Sequence, residues 1–126
     1  DFLSYNSYLG ITDWLGGGFD PNFAEVMGDE LAALSNEFGK PVVVSETGYS
    51  SFTEKYQQDA ALSKQIEVAM KKAQGIFIFQ WVDDWTKIGD KAIQDAHLED
   101  HWGIIDAYRN AKPGYIAVQG AFVNTD

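Results

Sequence analysis

The sequence predicts an α/β fold with parallel strands, and three observations carry that prediction. Three apolar, strand-like runs recur, Phe2 to Tyr8, Pro41 to Ser45 and Gly75 to Trp81. Each is followed by a loop and then a helical pattern, giving the order β-α-β-α-β-α. The central run, Val42-Val43-Val44, does not alternate and so reads as apolar on both faces, as in parallel sheets covered by helices.

The elements follow in order. Between the first two strands, Phe23, Val26, Met27, Leu31, Leu34 and Phe38 recur at threes and fours, which predicts one apolar helix face ending at Gly39. Pro41 then opens the next strand. After it, the box Ser51-Phe-Thr-Glu54 is expected to cap a helix with Leu62, Ile66, Ala69, Met70 and Ala73 on its buried face, closed by Gly75. A third, shorter helix is expected from Pro113 to about Phe122, with Pro113 in the first turn and Tyr115, Ile116, Val118 and Phe122 toward the sheet.

The strand ends Tyr8, Glu46 and Trp81 stand 38 and 35 positions apart, so each unit is one strand, one covering helix and a variable loop. That is the pitch of a β/α barrel. Closure needs eight strands and about 250 residues, so the chain is expected to supply about three-eighths of the wall. An open doubly wound sheet, completed as a homodimer or domain swap, is the rival architecture. In the barrel reading, residues 1–126 form a single segment lacking the first five strands, with open parallel edges before Phe2 and after Trp81 that invite pairing with another chain.

Composition narrows the partners. The chain has 126 residues, 45% of them hydrophobic and 14% aromatic, enough for a core, and no cysteine. A formal charge of −10 argues against nucleic acid and against an anionic membrane, both of which would repel it. A neutral or cationic ligand suits it better. Without cysteine there is no disulfide or thiolate metal site, and the redox compartment stays open. No apolar run approaches the roughly 18–20 residues that span a bilayer. The chain opens without an initiator Met or signal segment and is expected to begin inside a fold.

The most informative residue is Glu46, within Lys40-Pro-Val-Val-Val-Ser-Glu-Thr-Gly-Tyr49. An apolar strand ends there in a carboxylate followed by a turn glycine, and the carboxyl ends of parallel strands are where such folds put their chemistry. Glu46 is therefore read as a catalytic carboxylate, against the alternative of a solvated loop acid. Asn6 and Tyr8 are two apart on one strand and point the same way. Tyr8 is either a site hydroxyl or a core aromatic, and Trp81 either a ligand platform or a buried indole.

Four blocks together resemble the clan A retaining β-glycoside hydrolases. Phe2-Leu-Ser-Tyr-Asn-Ser-Tyr-Leu-Gly10 resembles their strand six, Pro41-Val-Val-Val-Ser-Glu-Thr-Gly48 strand seven and Ile76-Phe-Ile-Phe-Gln-Trp81 strand eight. His101-Trp-Gly-Ile-Ile-Asp106, with Arg109 and Lys112-Pro113 behind it, resembles the lead into the final helix. Ser45-Glu-Thr-Gly-Tyr-Ser50 is closest in wording to endo-β-1,3-glucanases, whereas the first and last blocks look more like β-glucuronidases and β-galactosidases. The resemblance implies a (β/α)8 barrel, hydrolysis of β-glycosidic bonds with retention, Glu46 as nucleophile, Tyr8 as the hydroxyl that orients it and Trp81 as the floor under the sugar. It implies a carbohydrate substrate and no cofactor. Because polysaccharides lie outside cells, a secreted or periplasmic setting is expected.

The chain departs from that family in one respect. The general acid/base belongs on strand four, usually as an Asn-Glu pair, and no strand end here carries one. A partner chain or preceding segment is expected to supply it. The alternative is a noncatalytic sugar-binding or assembly fragment. In the loop after Trp81, Asp83, Asp84, Trp85 and Lys87 are expected subsite contacts, with Asn6 bonding sugar or loop. His97 and His101 stand four apart among Asp95, Glu99 and Asp100, but no third ligand matches their spacing and no calcium-loop pattern occurs, so this run reads as a solvated loop without metal. Gly16-Gly-Gly18 lacks the strand and helix context of a nucleotide loop and reads as a flexible substrate-side loop.

Overall fold

The computed structural model describes residues 1–8, 20–52, 57–85 and 98–123. The elements run β1 (Leu3–Asn6), α1 (Pro21–Phe38), β2 (Val42–Thr47), α2 (Gln58–Lys72), β3 (Gly75–Ile78), a 3-10 turn (Leu98–Asp100) and α3 (Pro113–Val123). The strands form one parallel sheet in the order β1-β2-β3. Parallel strands need crossover connections, and here α1 and α2 are those crossovers.

Local chemistry explains the clearest boundaries. Asp20 caps α1 by accepting the Asn22 N–H at 2.9 Å, Pro21 occupies the first turn where its missing N–H costs nothing, and Gly39 ends the helix at φ 58°. α2 begins later than expected. Ser51 does not cap it; its N–H donates instead to the His101 carbonyl at 2.9 Å, and the helix starts at Gln58. Glu54, the other half of the expected box, lies outside the described residues. The helix also stops earlier: Ala73 is already extended, so Gly75 opens β3 rather than closing α2.

Two apolar clusters hold the layers together. Ala24, Met27 and Leu31 of α1 and Val68 and Ala69 of α2 bury Val42 and Val44, with Leu3, Tyr5 and Ile76 packed alongside. Tyr49, Ala61, Leu62 and Ile104 form the second cluster, against which Ile78 and the α3 residues Tyr115 and Val118 pack. Both clusters use the same strand face. By alternation the other face carries Ser4, Asn6, Val43, Ser45 and Phe77, and Phe77 is 65% exposed. Among the described residues the helices lie on one face only, which is the layering of a barrel wall; a doubly wound sheet covers both faces.

That geometry corrects several expected faces. Phe23, Val26 and Phe38 are exposed, and Ala24 takes the sheet-facing position on α1. On α2, Met70 is exposed whereas Gln58 and Gln65 are buried. Ile116 of α3 faces outward, whereas Phe122, partly exposed, lines a groove with Ile76 and Ile78 of β3. Helical spacing identified the helices, but a stripe broader than one contact left the buried side to tertiary packing. β1 and β3 are also shorter than their apolar runs, ending at Asn6 and Ile78.

The cores imply a contrast in stability. Leu31→Ala is expected to lower unfolding free energy by about 2–5 kcal/mol, while Phe38→Ala on the exposed flank changes it by less than about 0.5 kcal/mol. Urea unfolding of both variants followed by far-UV circular dichroism measures the difference, and equal losses would contradict the assigned core face.

Candidate functional site

The carboxyl ends of the three strands are stitched together by backbone hydrogen bonds that continue beyond the regular pairing. Ser7 N–H donates to the Glu46 carbonyl at 2.9 Å, and Phe79 N–H donates to the Thr47 carbonyl at 2.6 Å. The β1–β2 register pairs Asn6 with Glu46 after an irregularity between Tyr5 and Asn6, and the β2–β3 register pairs Thr47 with Ile78 after another. These irregularities turn side chains at the strand ends. They bring Tyr8, Glu46 and Phe79 to one end of the sheet.

There the Tyr8 hydroxyl donates to Glu46 Oε1. Burial, followed by this hydrogen bond and the Glu46 charge, raises the Tyr8 phenol well above its ordinary value. The phenol therefore stays protonated and a donor. Tyr8 is held in turn by aromatic edges: its ring centroid lies 5.2 Å from Trp102 and 6.5 Å from Phe79, both nearly perpendicular. Gly48 lets this cluster close, because a Cβ there would meet the Phe79 carbonyl oxygen at 2.0 Å and Trp102 Cε3 at 3.2 Å.

On the helix-free face, Ser4 Oγ donates to Ser45 Oγ at 2.7 Å and Ser45 Oγ donates to Asn6 Oδ1 at 2.7 Å. This polar relay runs up to the strand end that carries Glu46. Asn6 is thus engaged with strand neighbours on the open face. From α2, Gln65 Nε2 reaches the Gly48 carbonyl at 3.4 Å, while Gln58 Nε2 bonds the carbonyls of Tyr49 at 2.8 Å and Gly103 at 3.0 Å. The two glutamines anchor the segment just after Glu46. They stand two turns apart on one helix face, a spacing legible in the sequence although two polar residues carry no apolar signal.

The loop after β3 departs from the sequence expectation. Trp81, expected as a sugar floor, packs on the helix side with its ring 6.1 Å from Tyr115, in a groove shared with Ile78, Ile104, Val118 and Phe122. The ring beside Tyr8 is Phe79. Because β3 ends at Ile78, alternation does not extend to Trp81. Asp83, expected as a subsite contact, is only 6% exposed and pairs with Lys112 Nζ at 2.7 Å. A buried carboxylate needs such a partner, which removes it from the open cleft. Asp84 accepts from Gln80 Nε2 at 2.9 Å, and exposed Trp85 stands 5.6 Å from Tyr108. Lys87, His97 and Gly16–Gly18 lie outside the described residues. The acidic run is not uniformly solvated, since Asp100 is fully buried. Among the described residues, no three His, Asp or Glu side chains gather as a metal site, and no helix is long and apolar enough to cross a membrane.

No known family profile matches the chain, and no curated protein matches it. Solved structures do. A GH2 β-galacturonidase from Eisenbergiella tayi bound to galacturonate superposes with a TM-score of 0.70 at 21% identity, over 98% of this chain and 23% of that one. A β-glucuronidase from Faecalibacterium prausnitzii gives 0.72 at 21% identity, over 98% of this chain and 22% of that one. A glycoside hydrolase family 17 β-1,3-glucanosyltransferase from Rhizomucor miehei gives 0.60 at 25% identity, over 90% of this chain and 42% of that one. All three are glycoside hydrolases or glucanosyltransferases, and this chain spans between about a fifth and two-fifths of their lengths. The chain has the fold of the C-terminal three β/α units of a glycosidase (β/α)8 barrel.

The phenols supply a pH test. The hydrogen bond to Glu30, then burial, then the Glu30 charge raise Tyr5 to about 12, and Tyr8 is raised further by burial and Glu46. A raised phenol favours the protonated fold. Its contribution is complete below the ordinary phenol value near 10 and is lost as pH rises through the folded value. In an ultraviolet titration the Tyr5 and Tyr8 phenols are expected to ionise late, with Tyr8→Phe abolishing the later of these two steps. If all phenols titrate together in the folded protein, the Tyr8–Glu46 bond is not formed.

Proposed function

We propose that this chain carries the nucleophile-bearing sector of a retaining β-glycoside hydrolase, with Glu46 as nucleophile and Tyr8 as the residue that orients it. The supporting observation is the hydrogen bond from the Tyr8 hydroxyl to Glu46 at the carboxyl ends of adjacent parallel strands. A retaining glycosidase needs one carboxylate ionised and aimed at the anomeric carbon, and a second carboxyl about 5–5.5 Å away to protonate the leaving oxygen. A phenol that stays protonated suits the first requirement, since it donates to Glu46 and fixes its rotamer.

The chemistry runs in two displacements. Glu46 attacks the anomeric carbon and forms a glycosyl ester as the aglycone leaves with a proton from the acid. Water, deprotonated by the same acid/base, then releases the sugar with net retention. The acid/base is assigned to the part of the barrel outside residues 1–126, on a second chain or an N-terminal segment carrying the first five strands. Phe79, beside Tyr8, takes the sugar-facing role expected of Trp81, and Asn6 adds a polar contact on the same face. Asp84, Trp85 and Lys87 are assigned to outer subsites. The substrate is a β-linked oligo- or polysaccharide, with no cofactor, in a secreted or periplasmic setting. A noncatalytic sugar-binding role is the second reading, favoured by the lack of an Asn-Glu pair at any strand end among the described residues.

Incubation with 2-fluoro-β-glycosides bearing good leaving groups, followed by intact and peptide mass analysis, separates the two readings. A sugar adduct on the Ser45–Gly48 peptide, absent in Glu46→Gln, is expected; native mass of the same sample identifies any completing chain. Sugar binding without an adduct, in a protein whose barrel is complete, would support the binding role instead.

A further inference from the structure

Asp83, Lys112 and His101 come from three separate stretches of chain and meet in the interior. Lys112 Nζ lies 2.7 Å from Asp83 Oδ1 and donates to the His101 carbonyl at 3.2 Å, while His101 Nδ1 lies 3.7 Å from Asp83 Oδ2. Their side chains are only 3%, 12% and 17% exposed for Asp83, Lys112 and His101 respectively. Backbone bonds lock the same three stretches: Asp83 N–H to the Ile105 carbonyl at 2.9 Å, and Lys112 N–H to the Ile104 carbonyl at 3.1 Å. The His101 carbonyl also receives the Ser51 N–H at 2.9 Å, which ties it to the loop after β2.

The residue after His101 is Trp102, whose ring packs edge-on against Tyr8 and lies beside the Gly48 backbone. We propose that Lys112, Asp83 and His101 form a buried latch that positions the Tyr8–Glu46 pair through Trp102. An ammonium has three donors, so Lys112 grips a carboxylate and a backbone carbonyl at once and fixes the direction from which Trp102 enters. Apolar packing of similar volume supports the fold without that direction; buried ion pairs are therefore poor evidence for stability and better candidates for specifying geometry. Burial pulls the Lys112 ammonium below its ordinary value while Asp83 holds it charged, as expected of a pair kept inside for its geometry. All three latch residues are positioning residues, acting on the pair through Trp102.

The latch rests on the proposed glycosidase reading only for its kinetic test. The double variant Asp83→Leu with Lys112→Met removes both charges without stranding either one. It is expected to unfold cooperatively, yet to lose the late ionisation of Tyr8 and the near-ultraviolet dichroism of the Tyr8–Trp102 contact. Trp102→Phe, which keeps the ions, is expected to shift Tyr8 in the same direction. In the protein that forms the 2-fluoroglycosyl adduct, the double variant is expected to label about 100-fold more slowly at nearly unchanged inhibitor affinity, because a small misplacement of the nucleophile affects the reactive step most. Unaltered Tyr8 titration in Trp102→Phe, or in a folded double variant, overturns the latch. If the unmodified protein never labels, the glycosidase reading fails while the tyrosine titration still decides the latch.

Discussion

Everything in this structure depends on a parallel sheet being buried from one side. Parallel neighbours need crossover helices, and the helices here pack against the strand face bearing Val42, Val44, Ile76 and Ile78. Burial of those side chains stabilises the layers. Among the described residues it also leaves a second face without helices, where Ser4, Ser45 and Asn6 satisfy one another's hydrogen bonds. Polar residues can occupy strand positions there because that face is not sealed by the chain's own core. In a closed barrel the same face is the interior, and its carboxyl end is the functional end.

The strand ends turn that asymmetry into a site. Ser7 bonded to the Glu46 carbonyl and Phe79 bonded to the Thr47 carbonyl align three strand ends that are far apart in sequence. Once aligned, Tyr8 reaches Glu46, and the aromatic edges of Trp102 and Phe79 restrict where the phenol can go. The supporting shell comes largely from polar side chains inside the protein. Gln58 and Gln65 hold the loop after Glu46, and Lys112 with Asp83 holds the approach to Trp102. Each buried polar group is worth little in net stability, but each restricts backbone direction, which a catalytic geometry requires.

Much of the architecture was legible because it repeats local rules. Apolar spacing and the Gly39 stop identified α1, and Pro113 marked the start of α3. The strand pitch indicated a barrel segment. Positions such as Ser51 and Gly75 were misleading because the same residue types serve several purposes: Ser51 bonds a distant carbonyl instead of capping a helix, and Gly75 begins a strand instead of ending one. Asp83 and Trp81 both follow a strand end, yet a lysine almost thirty residues later takes Asp83, while Trp81 stays largely exposed with its ring beside a tyrosine of α3.

By itself the sequence determined which segments become strands and helices, and that a carboxylate stands where a parallel strand ends, because periodicity and turn chemistry act within a few residues. Tertiary structure decided which face of each helix is buried, which aromatic ring approaches Tyr8, and which acid is neutralised inside. Those choices depend on contacts between residues far apart in the chain, whose energies are set by burial and by the partner that arrives. Asp83 became an interior anchor and Phe79 a site neighbour for that reason.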